Sequence, residues 1–392
     1  MIDNEQLEDK SYRVNGFCQR RPVFDAIKRG QNITGLCGIE FNRDFRIKPL
    51  VITSVEDFIK KVTDEVGDFD YKNPVFYRAH ANANYLNVPS SMREDDGIEN
   101  EDFMMQEFQR RYSEQFSKCT NTLEKLVVMQ HYGSFSRCLD VTESPLVALA
   151  FVCLEEKKFG GNSDEHKYQY GTITAFRAED CREDIKGFDS NTVGVLANTA
   201  KCKREFHYGN LEIHYRNDGF ESQLGNFIYF RDIIRRSVIV RTKQDNPRIL
   251  NQRGAFILVN ANEIKNCGKC LLSSDVLMKR VIDYPNDKGQ PLNVVRLQHE
   301  YNGIDEWDFC FRKVEPYSMN NKYEEFKSDP FDLKRLYLKD KNQEQIVFFI
   351  PPGCKANIRR QLESLGFTYD FLYPEVDTVF HGIVNKVIKK EN

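Results

Sequence analysis

Gln130-His131-Tyr132-Gly133, followed by Ser136-Arg137-Cys138-Leu139-Asp140-Val141-Thr142-Glu143-Ser144-Pro145-Leu146-Val147-Ala148-Leu149-Ala150-Phe151, is the stretch on which the fold turns. Residues 136–142 read as a short strand, and because side chains alternate along a strand, Cys138, Asp140 and Thr142 share one face. Ser144 can cap a helix whose first residue is Pro145, where the missing proline N–H costs nothing. That helix, Leu146 to Leu154, is apolar on every side and should be buried. A short strand leading directly into a buried helix, among other elements of both kinds, predicts an α+β fold.

Upstream, residues 122–131 form a helical pattern that carries Leu123, Leu126, Val127 and Gln130, and residues 101–116 form another with Met104, Phe108 and Tyr112 at helical spacing. Val75 to His80 reads as a strand that projects Phe76, Arg78 and His80 together. Ser54 caps a helix with Val55, Phe58, Ile59 and Val62 on one face. Downstream come a strand at 171–176, β-rich runs at 237–241 and 255–259, and between them Pro247 to Gly254. Residues 346–350 read as a buried strand stopped by Pro351-Pro352-Gly353, and residues 355–365 as a helix closed by Gly366. The expected organisation is a polar lead-in over 1–49, a core over 50–260, and an extension over 261–392 that completes the domain.

The 56 basic and 59 acidic residues leave a net charge of −3, a balance that argues against a general polyanion binder. Hydrophobic residues at 40% and aromatics at 12% supply enough apolar surface for a sizeable core. The first residues lack a basic and apolar leader, and no apolar run is long enough to span a bilayer, so a cytoplasmic protein that does not engage the membrane is expected. Eleven Cys scattered along the chain do not make a secreted disulfide framework and are expected as thiols. Cys267-Gly-Lys-Cys270 lacks the second pair that a zinc site needs, so no metal is expected.

There is no P-loop, no G-x-G-x-x-G after a strand, no H-E-x-x-H and no G-x-S-x-G, which removes the common NTPase, dinucleotide oxidoreductase, zincin and α/β-hydrolase readings. The ordered set Phe76-Tyr77-Arg78-Ala79-His80, Pro89-Ser90-Ser91-Met92-Arg93 and the opening stretch resembles the FRG domain, named for its Phe-Arg-Gly strand. Arg248-Ile249, Gln252-Arg253-Gly254-Ala255-Phe256, Ile350-Pro351-Pro352 and Leu372-Tyr373-Pro374-Glu375-Val376-Asp377 resemble that family's closing motifs, so the likeness runs over about residues 50 to 385. Ala79 stands where the family has Gly, and His80 where it has Gln.

FRG domains in turn look like distant relatives of ADP-ribosyltransferases, which cleave NAD and pass ADP-ribose to an acceptor. The resemblance implies short twisted strands and helices around an ADP-ribosyltransferase-like cleft, in an effector of bacterial defence against phage or a toxin. It implies NAD as substrate, held by Arg78, His80, His131 and Tyr132 together with Arg137, Thr142 and Ser144. The acceptor would be a protein or a nucleic acid. Gln252 falls where such enzymes carry a late Glu; it can hydrogen-bond but brings no charge, which leaves Asp140 to supply it. The alternative is an inactive module that senses a ligand or nucleic acid.

Each candidate also has a plainer role. Arg78 could grip a pyrophosphate or lock two strands through Asp140. Asp140, set between apolar neighbours, is expected at least partly buried with Arg78 or Arg137 as partner. His131 and Tyr132 could stack on a base or close a core. Gln252 and Phe256 fit ordinary strand positions. The basic residues Arg231, Arg235, Arg236, Arg241 and Lys243 could touch nucleic acid or form a solvated face.

Overall fold

The computed structural model describes residues 33–34, 46–67, 70, 72–83, 87, 89–92, 97–132, 136–154, 170–178, 184–219, 233–234, 236–260, 262–264, 280–285, 291–296, 310–313, 333 and 335–374. Most of the polar lead-in, the Cys267 and Cys270 pair, Arg231 and Arg235 lie outside these residues.

Helices and a mixed sheet build the expected α+β fold. The strands are β1 (Ile33–Thr34), β2 (Arg46–Val51), β3 (Phe76–His80), β4 (Cys138–Thr142), β5 (Gly171–Phe176), β6 (Ile185–Gly187), β7 (Glu205–His207), β8 (Val238–Arg241), β9 (Gly254–Leu258), β10 (Asn262–Ile264), β11 (Arg280–Pro285), β12 (Pro291–Arg296), β13 (Cys310–Lys313) and β14 (Gln345–Ile350). Nine of them form one sheet in the order β1-β2-β14-β5-β3-β4-β9-β8-β6. The C-terminal strand β14 lies inside that sheet, parallel to β2 and antiparallel to β5, so residues far apart in sequence close one core.

The register holds one irregularity that places the site. β3 pairs with β5 at five positions, Phe76↔Phe176 through His80↔Thr172, and β4 pairs with β9 at five, Cys138↔Leu258 through Thr142↔Gly254. β3 and β4 share a single pair, Tyr77↔Thr142. The sheet therefore splits between β3 and β4 beyond that pair.

The helices are α1 (Val55–Val66), α2 (Glu101–Arg111), α3 (Ser113–Phe116), α4 (Thr122–His131), α5 (Pro145–Leu154), α6 (Asn191–Asn198), α7 (Tyr208–Asn217), α8 (Pro247–Asn251), α9 (Pro352–Ser364) and α10 (Tyr369–Leu372). Ser54 caps α1 by accepting from Asp57 N, as its sequence predicts. The helix expected over 101–116 is broken at Tyr112 into α2 and α3. α9 starts earlier than expected because Pro352 is tolerated in its first turn, and Gly366 closes it at φ 90°, with Phe367 N bonded to Leu362 O at 2.9 Å.

Two helical layers cover the same face of the sheet. α1, α5 and α9 bury Phe58, Val152 and Ile358 with Tyr77, Ile173 and Phe348, while α2, α4 and α6 bury Met105, Leu126, Met129 and Leu196 with Cys138, Val240 and Phe256. Tyr77 and Thr142 are paired partners and so point the same way, which puts both layers on one side. α5 packs close because Gly171 has no side chain: a Cβ there would stand 2.1 Å from Val152 Cγ1. The layers meet over the split between β3 and β4. Among the described residues no helix is long and apolar enough to cross a membrane.

Candidate functional site

A cavity of about 730 Å³ opens at this junction. Four consecutive residues of β3, Tyr77 to His80, line it, together with Asp140 and Val141 of β4. Side chains from an intact strand would reach only one face, so a wall made of consecutive residues is the mark of the split edge. α4 forms the next wall. Asn121 caps it by accepting from Glu124 N at 3.0 Å, and Leu123, Leu126 and Met129 bury its inner face. Its last turn then delivers Gln130 and His131 to the cavity, with Tyr132 at its C-cap.

At the centre, Arg78 Nη1 donates to the main-chain oxygen of Asp140 at 2.7 Å and stands 3.9 Å from its carboxylate Oδ2. The guanidinium thus takes over a carbonyl that strand pairing would have used. Gln130 Nε2 donates to Asp140 Oδ2 at 2.9 Å. The side chain of Asp140 is 57% exposed, more open than its apolar neighbours led us to expect, and of the two expected partners it is Arg78 that stands beside it. Neighbours on β4 are buried as expected, but Asp140 sits where β3 has left β4, so water and the cavity reach it.

His80 is buried at the inner end of β3, whereas Tyr132 is 63% exposed at the rim, with the His131 ring edge-on at 5.1 Å. Across the cavity, Arg248 of α8 lies over the Tyr373 ring at 4.9 Å. Lys243 is paired with Glu124 and stands 5.0 Å above the Phe188 ring, so its charge is largely compensated. Arg241, on β8, is paired with Glu143 at 2.9 Å. Two members of the basic run are thus ion-paired within the fold. Cys119 also lines the cavity, and burial, with Glu124 nearby, pushes its thiol above the usual range, which keeps it protonated at neutral pH.

Arg78, His80, His131, Tyr132, Asp140 and Gln252 therefore share one cavity, and three other candidates stand outside its lining. Arg137 is fully buried and grips Glu101 through Nε at 3.0 Å and through Nη2, while Nη1 reaches Thr199 Oγ1. It serves neither Asp140 nor the cavity, because an enclosed guanidinium takes the enclosed carboxylate beside it. Thr142 Oγ1 donates to Gln252 O at 2.6 Å and accepts from Ser144 N at 3.0 Å. Ser144 caps α5, its Oγ accepting from Val147 N at 3.4 Å. Both hold the turn between β4 and α5. Gln252 is the C-cap of α8 and not a strand residue, and its Nε2 donates to Leu372 O at 2.9 Å.

Sequence reading missed the part played by Gln130 and the pair Arg248 with Tyr373. Gln130 could have been found, since it lies in the last turn of an apolar helix, three residues short of a glycine. Arg248 and Tyr373 are far apart in the chain, and nothing local to either announces the other.

A family model for the FRG domain matches residues 73–160, a span that includes Arg78, Gln130, Asp140 and Ser144 and supports reading this stretch as an FRG domain. The later motifs around Arg248, Gln252 and Tyr373 fall outside the matched span. No curated protein and no solved structure matches the chain.

Proposed function

We propose that the cleft between β3 and β4 binds NAD and that the protein is an ADP-ribosyltransferase-like effector, in the defence or toxin setting that the family likeness implies. The observation that carries this reading is the trio Arg78, Asp140 and Gln130 at the floor of a cavity large enough for a nucleotide. Arg78 brings a planar fork suited to a pyrophosphate. Tyr132 at the rim offers a face on which a nucleotide base or nicotinamide ring can stack. Asp140 is an accessible carboxylate beside the cavity, and the guanidinium paired with it, Arg78 Nη1, stands 3.9 Å from Oδ2, beyond hydrogen-bond distance.

In the reaction the bond between nicotinamide and ribose breaks with its electron pair leaving on nicotinamide. Positive charge grows at the anomeric carbon, and a nucleophile of the acceptor, or water, closes the new bond. A fixed negative charge favours that transition state. Asp140, hydrogen-bonded to Gln130, is the carboxylate we assign to this role, whereas the Gln252 amide is engaged with Leu372 O. Nicotinamide release from NAD by the purified protein tests the reading. Release by the wild type and a loss of about a hundredfold or more in Asp140→Asn are expected. Full activity in Asp140→Asn would remove Asp140 from the chemistry.

A second reading, a cleft that binds its ligand without cleaving it, is favoured by the same engagement of Gln252. Tight NAD binding with no nicotinamide release from the wild type would select it.

A further inference from the structure

Gln130 and Asp140 together present more acceptors than the protein fills. Gln130 Nε2 satisfies Asp140 Oδ2 at 2.9 Å. Gln130 Oε1 is enclosed and accepts no hydrogen bond among the described residues, and Asp140 Oδ1 accepts none among them either. The amide orientation is fixed by its neighbour, since the reverse placement would set a carbonyl oxygen against a carboxylate oxygen. An acceptor buried without a donor is costly, so the arrangement calls for a donor from outside.

The two unused oxygens belong to side chains that are joined by one hydrogen bond and line the same cavity. Two such acceptors, one of them anionic, suit a ligand with two adjacent hydroxyls. A carboxylate accepting from a ribose hydroxyl is a recurrent way of selecting that sugar. We infer that Gln130 and Asp140 form a subsite that reads the cis-diol of a ribose, with Gln130 as a specificity residue. Gln130 Oε1 is covered in the unliganded chain, so the donor reaches it with a shift of the half-buried Gln130 side chain. Arg78, bonded to the Asp140 main chain, sets this subsite beside the place proposed for phosphate. The inference rests on the nucleotide reading of the cleft but concerns the sugar, not the cleavage.

The test compares dissociation constants for NAD and ATP with those of their 2′-deoxy and 3′-deoxyribose analogues, in wild type, Gln130→Met and Asp140→Asn. The wild type is expected to prefer the ribose form by about tenfold or more, and Gln130→Met to lose most of that preference. The preference is a ratio within one protein, so a smaller folded or competent fraction raises both dissociation constants alike and cancels. Asp140→Asn, which keeps the shape and removes the anion, should lower the ratio as well. If NAD binds and the deoxy forms bind equally, or Gln130→Met keeps the full preference, the diol inference is overturned while NAD binding stands. If ATP shows the preference and NAD does not bind, the diol subsite stands and the NAD reading falls. If none of these nucleotides binds, both fall.

Discussion

Arg78 Nη1 donates to the main-chain oxygen of Asp140 at 2.7 Å, across the place where β3 and β4 cease to pair. A side chain there does the work of a strand hydrogen bond, and the sheet can open without stranding a carbonyl. The same fork faces the cavity, so one residue closes the gap and furnishes the site.

Replacing Arg78 by Ala should therefore be mild for folding. The orphaned carbonyl belongs to a residue that water reaches, but the Arg78 side chain is only 10% exposed and its packing is lost too, so the cost is about 1–2 kcal/mol, or roughly 2–8 °C in melting temperature. Arg78→Lys should melt like the wild type yet bind ligand poorly, because a point charge does not reproduce the fork. Calorimetric melting of both variants checks this, and a loss above 10 °C in Arg78→Ala would mark a structural keystone.

Arg137 should behave in the opposite way. Arg137→Met leaves Glu101 enclosed without its cation, a loss of about 3–5 kcal/mol, whereas Arg137→Met with Glu101→Leu should recover most of it. Urea titration of the three proteins separates this from a binding role. If Arg137→Met unfolds like the wild type, the buried pair carries no stability.

Gln252→Glu tests whether a late carboxylate can be restored. The substitution replaces the donor to Leu372 O with an acceptor, which costs about 1–3 kcal/mol at the contact between α8 and α10. A measurable loss of melting temperature is expected. No loss would mean that residue 252 turns freely into the cavity.

The clasp at the N-terminus of α4 predicts an acid limb of stability. Burial pushes the Asp218 carboxyl up, but Lys201 and Thr122, which donates twice, hold it below its usual range. Because the folded value is depressed, the stabilisation is full above the unfolded carboxylate pKa near 3.8 and is lost as pH falls through the folded value. Acid titration of Asp218→Asn should show a lower plateau at neutral pH and a shallower decline below about pH 4. An unchanged acid limb would place the sensitive group elsewhere.

Local signals in the sequence announced the elements that carry the site. The strand at β4, the Ser144 cap, the run of α5 and the strand at β3 all follow from alternation, capping and apolar runs, which depend on neighbours in the chain. What stayed hidden depends on distant partners. Arg137 meets Glu101 only in the folded core, and its position beside Cys138 gave no hint of that pairing. Leu139 and Val141 flank Asp140 and pointed to at least partial burial, yet its degree of exposure is decided by the single-pair register between β3 and β4. Gln252 looked like a strand residue since the five-residue helix before it is set by the Asn246 cap and Pro247, a weak signal between two β-rich runs.

Calorimetric titration of NAD into wild type and Arg78→Ala decides whether the split between β3 and β4 is a nucleotide site. Saturable binding to the wild type is expected, with a weakening of about tenfold to a hundredfold in Arg78→Ala, the range for lost charge-assisted hydrogen bonds. Binding of equal strength in both proteins, or none in the wild type, would contradict that reading.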